Sequence, residues 1–347
     1  MQIGTPQEER PELIIPSRLE AIEREQWSLA KRTCDYQRAY LGAPPPVSST
    51  IPQMDGIMCG GFRPGVHFLG GTTGAGKTAF ALYLASRIAS CDDPKHGGRR
   101  CGVTIISLEL SEWEVRARMG SRISYVCDEL TPFRWADFEQ LGFAAHRADE
   151  AEPYGWAVQD DPVMNADTEL QILCPRIRIV DGAMHPSKAD LLEIESEIEA
   201  CGRQGGSFVI VDYLQCIDAG IDLDEQQAMK EAARGLNLAG IRAGVPVLAI
   251  AAVSREKGSA MRRGKEGERP SADVFRGSSW IEYTGLTAWA LVRRDDAERS
   301  GDNVAVELHP VKNRRGACSE YVQLAYNGAY GQFTYTDTDG YGRVIAK

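Results

Sequence analysis

A glycine-rich loop between an apolar run and a helix-forming run constrains the fold of this chain more than any other stretch. The loop reads Gly-Thr-Thr-Gly-Ala-Gly-Lys-Thr at residues 71–78. Val66–Leu69 before it predicts a buried strand, and Ala79–Ile88 after it predicts a helix. Glycines let successive backbone N–H groups point at phosphate oxygens, and a helix N-terminus adds partial positive charge there. The stretch therefore predicts a phosphate-binding loop between a strand and a helix.

The side chains of this loop indicate how a nucleoside triphosphate would be held. We expect Lys77 to reach the β- and γ-phosphates and the Thr78 hydroxyl to ligate Mg²⁺, which prefers oxygen ligands. The alternative is a glycine-rich turn before a core helix, and the flanking strand and helix favour the phosphate loop. ATP and Mg²⁺ are thus the expected cofactors. The residues predicted to contact the nucleotide are Gly71, Thr72, Thr73, Gly74, Ala75, Gly76, Lys77, Thr78 and Ala79.

Composition and charge limit the classes of protein to consider. With 347 residues, 43% hydrophobic and 25% charged, the chain has the composition of a folded globular protein. No apolar run approaches the roughly 18 residues of a membrane-spanning helix, and the N-terminus has no signal pattern, so we expect a cytoplasmic protein without a membrane partner. The nine cysteines include no Cys-x-x-Cys pair, which indicates neither a zinc site nor a disulfide framework. A net charge of −10 argues against binding nucleic acid over the whole surface but permits a local basic segment.

Two acidic residues follow predicted strands downstream of the loop. Val103–Ser107 and Ser207–Val211 are apolar, β-branched runs; Glu109 comes just after the first and Asp212 closes the second. Ligands of open α/β sheets bind at the carboxyl ends of the strands, so both residues should lie on the same side of the sheet as Lys77. Asp212 is expected to belong to the Mg²⁺ site near Thr78, where its carboxylate would hold a Mg²⁺-bound water. The alternative is an aspartate that merely ends a strand.

Alternating strands and helices predict an α/β fold, with a mostly parallel central sheet and helices on both faces. Residues 48–347 should form this single domain. A further helix is indicated at 133–143, and the acidic, weakly patterned residues 149–167 indicate a surface insertion. The other predicted strands are Ile177–Val180, Val245–Val253, Trp289–Val292 and Val304–Leu308, the helices are Lys188–Cys201 and Glu225–Arg242, and Tyr321–Tyr335 is a closing hairpin.

Residues 1–47 predict a separate N-terminal part. A capping-box pattern at Ser17 and Glu20 begins a helix from about 18 to 41, and Gly42–Pro46 forms a proline-rich spacer after it. A lone amphipathic helix cannot bury its apolar stripe by itself. It therefore packs either on its own domain or on a neighbouring subunit, and the sequence leaves both open.

The order of the motifs resembles the RecA-like ATPase domain of the DnaB-type replicative helicases. The resemblance rests on the loop at 70–78, Ile-Ser-Leu-Glu-Leu-Ser at 106–111 and Val-Ile-Val-Asp-Tyr-Leu-Gln at 209–215, and it extends from about Ser48 to Phe333. It implies a RecA-like P-loop NTPase that hydrolyses ATP. By this resemblance Glu109 is the catalytic glutamate. The run Lys-Asn-Arg-Arg-Gly at 312–316 supplies an arginine finger, Arg314, and a lysine for the γ-phosphate, Lys312, both from the next subunit.

The resemblance also implies a homo-oligomeric ring, commonly of six subunits, that moves on or unwinds single-stranded DNA. The helix at 18–41 would be a linker helix docked on the neighbour. With no room for a further N-terminal domain, we expect a minimal motor, as in a phage or plasmid element, with a replication or mobile-element partner protein. One departure concerns the glutamine that the family usually carries in the strand after Asp-Tyr-Leu-Gln: Ala251-Ala252-Val253 stands there instead.

A basic segment inside this acidic chain is the predicted DNA contact. Residues 255–276 contain seven basic and four acidic side chains and several glycines. We interpret the segment as a loop that contacts backbone phosphates without reading sequence; the alternative is a solvated flexible loop. The predicted DNA-contacting residues are Arg255, Lys257, Arg262, Arg263, Lys265, Arg269 and Arg276.

Two other functions stay open at this stage. One is a RecA-fold ATPase whose nucleotide state switches assembly with a partner protein, without helicase activity; the absent glutamine and the acidity favour it. The other is a recombination-type filament. The linker helix and the Asp-Tyr-Leu-Gln motif argue against it.

Overall fold

The computed structural model describes residues 42–95, 97–137, 162–220, 223–270, 274–275, 284–294, 299–318, 320–338 and 344–346. The chain divides into two compact units, Met1–Pro44 and Pro45–Lys347, and the described helices and strands all belong to the second. The helix expected at 18–41 lies outside the described residues, and the boundary placed at residue 47 stays a prediction. Among the described helices, none is both long and apolar enough to cross a membrane.

One sheet of eleven strands runs through the described part of the chain. Its order is β11-β10-β9-β8-β6-β1-β5-β4-β2-β3, with β7 beside β8. The six strands from β6 to β3 are parallel, and the strands from β8 to β11 are antiparallel. The strands are β1 (Gly65–Gly71), β2 (Val103–Ser107), β3 (Ile177–Asp181), β4 (Phe208–Asp212), β5 (Pro246–Ile250), β6 (Thr287–Val292), β7 (Arg299–Ser300), β8 (Asn303–Asn313), β9 (Val322–Asn327), β10 (Gln332–Thr338) and β11 (Val344–Ala346).

Helices cover both faces of the sheet. Side chains alternate along each strand, so Leu69 of β1 belongs to one core and Phe68 to the other. Because the central strands are buried on both faces, they read as continuous apolar runs. The helices are α1 (Pro52–Ile57), α2 (Lys77–Ala89), α3 (Glu112–Val126), α4 (Pro162–Leu173), α5 (Leu191–Arg203), α6 (Glu225–Ala243) and α7 (Arg255–Arg263). The core with Leu69 contains α2, α3 and α4, and the core with Phe68 contains α5 and α6. The predicted α/β architecture is confirmed.

Several predicted bounds were wrong. The α-helix expected from Lys188 begins at Leu191, because the Asp190 side chain caps it by accepting a hydrogen bond from the Leu192 N–H at 2.8 Å; a short 3₁₀ turn precedes it. The strand expected to continue to Val253 ends at Ile250. β8 is longer than expected and continues to Asn313, because it pairs with β6 along its second half.

The acidic insertion expected at 149–167 is partly a packed helix. Residues 149–161 lie outside the described part, but α4 begins at Pro162, a residue tolerated in the first turn of a helix. Ala166 and Leu170 are buried, and Asp167 accepts hydrogen bonds from Arg116 of α3 at 2.8 and 2.9 Å. The helix expected at 133–143 lies largely outside the described residues.

The basic segment also differs from the expected loop. Residues 255–263 form helix α7, because the Ser254 hydroxyl accepts a hydrogen bond from the Lys257 N–H and the run is rich in good helix formers. Gly258 within it is buried, with Val253 as its nearest neighbour. Only the stretch after Arg263 is a loop among the described residues of this segment.

Candidate active site

The phosphate loop connects β1 to α2 in the predicted way. The Thr72 N–H donates to the Leu291 carbonyl at 3.2 Å, and the Ala75 N–H donates back to the Thr72 carbonyl at 3.1 Å. Gly76, directly before α2, has a φ of 86°, in the left-handed region that favours glycine. A Cβ at this position would also lie 2.8 Å from the Tyr326 ring. Conformation and space thus both require glycine at the last turn before Lys77.

Lys77, Thr78, Glu109 and Asp212 line one cavity of about 390 Å³. The Lys77 Nζ donates to the Gly71 carbonyl at 3.3 Å, and burial lowers the pKa of this lysine, although Asp212 and Glu109 act in the opposite direction. Asp212 is only 5% exposed. Burial raises the pKa of its carboxyl group to about 6, although the Thr78 hydroxyl donates a hydrogen bond to it. Glu109 is exposed at the rim. The structure therefore brings these four predicted residues together.

Sheet pairing explains why the two acidic residues meet. β2 and β4 are parallel neighbours with Ser107 opposite Asp212, and the Leu108 N–H donates to the Asp212 carbonyl at 2.7 Å. Glu109 lies in the tight turn that comes next. The Ser107 hydroxyl donates to the Leu110 carbonyl at 2.6 Å, and a capping box between Ser111 and Glu114 begins α3. The turn thus fixes the backbone of Glu109 at the carboxyl edge of the sheet.

The donor set fits Mg²⁺ and a triphosphate. Thr78 and Asp212 offer a hydroxyl and a carboxylate, and Mg²⁺ is usually held by one or two such oxygens together with phosphates and waters. A cation at Asp212 would offset the cost of burying the carboxylate. Within the described ranges, no group of three or more His, Cys, Asp or Glu side chains could hold a metal ion, so a fully protein-made site is not present there.

Sequence reasoning missed several residues that line the cavity. Arg118 comes from α3, with its guanidinium over the Trp135 ring at 4.2 Å from the ring centre. Its position on the helix that follows Glu109 is a signal that could have been used. Tyr326 comes from β9, where its ring stacks on Phe333 at 4.5 Å, and no local pattern marks it. The remaining unpredicted lining residues are Tyr213, Ile250 and Ala252.

Lys312 and Arg314 are not part of this cavity. β8 is antiparallel to β6, with Lys312 opposite Ala288, so both residues lie toward the edge where β1 and β6 begin. The phosphate loop follows the other end of β1. His67, at the register of Thr287, is four residues before Gly71, which is roughly 13 Å along a strand. Arg314 is exposed there, and its Nε donates to the Gly285 carbonyl at 3.1 Å.

The predicted DNA-contacting residues start close to the cavity. Ala252, which lines it, lies two residues before Ser254, the N-cap of α7. The Ala252 N–H donates to the Gln215 Oε1 at 3.1 Å. Arg263, Lys265 and Arg269 are exposed, and Lys257 and Arg262 are partly buried. Arg276 and the side chain of Arg255 lie outside the described part.

A phosphate loop between strand and helix, with a buried aspartate at the end of a neighbouring parallel strand, defines a P-loop nucleotide-binding protein. Residues 46–335 match the family model of the DnaB-like helicase C terminal domain, and the chain belongs to this family. The resemblance drawn from the motifs is thereby confirmed.

Named relatives agree with this assignment. The replicative DNA helicase DnaB of Geobacillus stearothermophilus is 24% identical over 296 residues, and the replicative DNA helicase DnaC of Bacillus subtilis (strain 168) is 25% identical over 291 residues. Each alignment covers 83% of this chain but 56% of the relative, so the chain spans about half the length of these curated relatives.

Two solved structures show the same fold. One is an isolated ATPase domain, with a TM-score of 0.63 at 22% identity, covering 88% of this chain and 96% of that one. A DnaB-like replicative helicase, studied with its interactions with primase, has a TM-score of 0.62 at 21% identity, covering 87% of this chain and 65% of that one. The chain therefore has the RecA-like fold of DnaB-type ATPase domains, as expected.

Proposed function

We propose that this chain is an ATP-hydrolysing ring motor that translocates on or unwinds DNA, with each ATP site shared between adjacent subunits. The observation that carries the proposal is the separation of the nucleotide-site residues. Lys77, Thr78, Glu109 and Asp212 line one cavity, whereas Lys312 and Arg314 lie toward the opposite edge of the sheet. Arg314 is too far from the cavity of its own subunit to act there, and this position fits an arginine that acts in the cavity of the neighbouring subunit.

Within one subunit, the chemistry requires the triphosphate to be gripped and water to be positioned. Backbone N–H groups at the start of α2 and the Lys77 ammonium would hold the phosphates, while the N–H groups of Thr72 and Ala75 hold the loop itself. Thr78 and Asp212 would hold Mg²⁺, which neutralises charge on the phosphate oxygens when bound. Glu109, at the cavity rim, would orient the attacking water and accept its proton. Arg118 adds a further positive charge to the same cavity.

The neighbouring subunit would supply the remaining positive charge. Arg314 and Lys312 would stabilise the charge that develops on the γ-phosphate, so a lone subunit hydrolyses slowly. A head-to-tail contact that repeats in this way forms a ring when the rotation between subunits closes, and we propose a closed ring of six subunits. The DnaB-like replicative helicase of similar fold is described with its interactions with primase, and we propose a replication protein as the partner of this ring.

DNA would bind along the basic segment. Arg263, Lys265 and Arg269 are exposed, as are Glu266 and Glu268 between them, so residues 263–269 carry three basic and two acidic side chains, a net charge of +1 in a chain of −10. Such contacts reach backbone phosphates and weaken with salt. The segment begins two residues after Ala252 of the nucleotide cavity, which fits a motor in which ATP and DNA sites communicate.

A second candidate is a nucleotide-dependent assembly switch for a partner protein, without helicase activity. Ala252 favours it, because its methyl group cannot make the hydrogen bonds of the glutamine found there in the family. Under this candidate ATP would be hydrolysed at the same rate with and without DNA.

The deciding experiment measures ATP hydrolysis with and without single-stranded oligonucleotides at increasing salt, together with strand displacement on a forked substrate. Lys77→Ala should abolish hydrolysis, and Glu109→Gln should bind ATP but not turn it over. We expect DNA to stimulate hydrolysis and salt to remove the stimulation. Equal rates with and without DNA would support the switch instead.

A further inference from the structure

Two charged side chains are buried together beneath the basic segment. Arg294 follows the end of β6, Glu307 lies in β8, and each side chain is 5% exposed. The Arg294 Nη2 and Nε donate to the same carboxylate oxygen of Glu307 at 2.8 and 3.2 Å. Burial acts to raise the pKa of Glu307, but hydrogen bonds from His309 and Arg294 outweigh it and hold the pKa below its ordinary value. The pair is therefore ionised inside the protein.

This pair also binds the backbone of the basic segment at three points. The Arg294 Nη1 donates to the Met261 carbonyl at 2.5 Å, and its Nη2 donates to the Glu268 carbonyl at 2.6 Å. The Gly267 N–H donates to the Glu307 Oε1 at 3.1 Å. The end of α7 and the loop that follows it are thus held on β6 and β8 by one network of charged hydrogen bonds.

The end of β6 is bound to the phosphate loop as well. The Leu291 carbonyl accepts from the Thr72 N–H at 3.2 Å, and the Arg293 N–H donates to the Thr72 hydroxyl oxygen at 3.4 Å. Thr72 is itself buried. Four consecutive residues, 291–294, consequently contact the nucleotide loop at one end and the basic segment at the other.

The free-energy cost of burying Arg294 and Glu307 indicates that the two residues position the basic segment. Two buried charges often add no more stability than apolar residues of similar volume, since desolvation offsets their attraction. An apolar pair, however, could not bind the carbonyls of Met261 and Glu268. Arg294 donates to three different groups, and a planar guanidinium fixes their relative positions in a way that a flexible lysine cannot. What the charges add is a defined position for the basic segment relative to β6.

We propose that Arg294, held by Glu307, is a positioning residue that couples the phosphate loop to the DNA-contacting segment. The inference rests on the proposed function, and it gives the coupling a route that does not need the glutamine replaced by Ala252. A loop that shifts with bound nucleotide moves the end of β6 through Thr72, and the Arg294 network transmits that movement to α7.

A competing route runs through Gln215. Its Oε1 accepts from the Ala252 N–H, and Ala252 leads directly into the N-terminus of α7. The two routes enter α7 from opposite ends, so variants can separate them. Gln215→Leu removes the second route while leaving Arg294 and Glu307 unchanged.

The test is a binding cycle on the full-length assembled protein. The Kd of a fluorescent oligothymidylate is measured with a non-hydrolysable ATP analogue and without nucleotide, and the ratio of the two values is the coupling. Because coupling is reciprocal, the same ratio must appear in the Kd of the nucleotide with and without DNA. For the wild type we expect a ratio of about 5 or more, within the usual range of allosteric coupling.

The main variant is the double substitution Arg294→Met with Glu307→Leu, which removes both charges and leaves neither one buried alone. We expect its coupling ratio to fall to about 1, while its nucleotide affinity without DNA and its basal hydrolysis change by less than about twofold.

Arg294→Lys keeps the charge balance, which makes it the second variant should the double variant not fold. It should lose most of the coupling too, because the three donors of an ammonium come from one nitrogen, whereas Arg294 contacts its acceptors with three nitrogens held in one plane. Gln215→Leu should keep the coupling ratio of the wild type.

The outcomes separate this inference from the proposed function. A wild-type ratio of 1 would contradict both. A ratio above 1 that survives in the double variant and in Arg294→Lys would contradict only the role of Arg294. Loss of coupling in Gln215→Leu with retention in the Arg294 variants would assign the route to Gln215 and overturn the inference.

Discussion

Asn313 lies opposite Thr287 in the antiparallel pairing of β8 with β6, at the end of β6 away from the phosphate loop. Both polar atoms of the Asn313 side chain make hydrogen bonds. The Nδ2 donates to the Ile57 carbonyl at 2.7 Å, and the Oδ1 accepts from the Arg315 N–H at 3.0 Å. The turn that carries Arg314 is thereby attached to the end of α1, which fixes the backbone from which the Arg314 side chain extends.

The first prediction concerns the subunit that uses Arg314. Arg314→Ala should lower the rate of ATP hydrolysis about 10³-fold, the lower range for an arginine finger, and Lys77→Ala should also be inactive. Mixed in equal amounts, the two inactive proteins should regain activity at about a quarter of the sites, because an intact Lys77 then faces an intact Arg314 across some heterologous interfaces. Hydrolysis is measured against mixing ratio.

The matched control is Arg315→Ala, which removes the exposed arginine next in sequence and keeps the Arg315 backbone hydrogen bond. This variant should hydrolyse ATP nearly as the wild type does. Absence of recovery at every mixing ratio, with assembly verified by sedimentation, would contradict a site shared between subunits.

The second prediction concerns Asn313 itself. Asn313→Ala should lower kcat by about 10- to 100-fold, the cost of displacing a catalytic group by about 1 Å, with little change in KM because the nucleotide-binding loop lies at the other end of the sheet. Asn313→Asp keeps the acceptor for the Arg315 N–H but loses the donor to the Ile57 carbonyl, so it should be impaired as well. Steady-state kinetics of the assembled protein give both constants.

The control for Asn313 is Gln323→Ala, which removes an exposed amide that contacts Glu266 on the surface. We expect wild-type kinetics from it. A higher KM with unchanged kcat in Asn313→Ala would point to a role in nucleotide binding and against positioning of Arg314.

The parts of the site that the sequence predicted are those encoded locally. The phosphate loop, Glu109 and Asp212 each follow an apolar strand directly, and parallel pairing brings the ends of such strands to one edge. Arg294 and Glu307 could not be found in this way. They are 13 residues apart, and their pairing depends on the register of two antiparallel strands, which the hydrophobic pattern leaves undetermined.

Helix α7 was missed for a related reason. Gly258, Gly264 and the mixed charges of residues 255–268 indicate a loop, because a lone helix of this composition has no apolar stripe to stabilise it. Besides the Ser254 cap and the helix-forming residues, tertiary contacts hold both ends of the helix: the Ser254 N–H donates to the Val274 carbonyl, and Arg294 binds the Met261 carbonyl. Local propensity could not report either contact.

The third prediction concerns Tyr326, whose ring lies against Gly76 and stacks on Phe333. Burial raises the pKa of its hydroxyl group, so the side chain is neutral at physiological pH. Tyr326→Ala should raise the KM for ATP about tenfold, equivalent to about 1.4 kcal/mol of lost binding, because the last turn of the phosphate loop loses its support. Nucleotide titration and steady-state kinetics measure the change.

Tyr326→Phe separates the ring from its hydroxyl group. We expect this variant to keep the KM of the wild type, since the contact with Gly76 is made by the ring. A KM as high in the phenylalanine variant as in the alanine variant would assign the effect to the hydroxyl and contradict the packing argument.

The fourth prediction is a loss of stability in acid caused by His67. This residue is buried in β1, and burial lowers its pKa to about 4. The Nε2 lies 2.9 Å from the Arg63 carbonyl, which can only accept, so Nε2 carries the proton and Nδ1 accepts from the Thr287 hydroxyl at 2.8 Å. Folded His67 is therefore neutral at a pH where the unfolded histidine is already charged.

The sign of the pH dependence follows from proton uptake. Below the ordinary pKa of 6.5 the unfolded chain binds a proton at His67 that the folded chain rejects until about pH 4. The stabilising contribution is complete above pH 6.5 and is lost as the pH falls toward 4, by about 2 kcal/mol at pH 5.

Denaturant unfolding at pH 7.5 and pH 5 measures this loss in the free energy of unfolding. In His67→Gln, whose amide can offer the same donor and acceptor without titrating, the difference between the two pH values should be smaller by that amount. An equal difference in both proteins would mean that His67 is not buried in its neutral form.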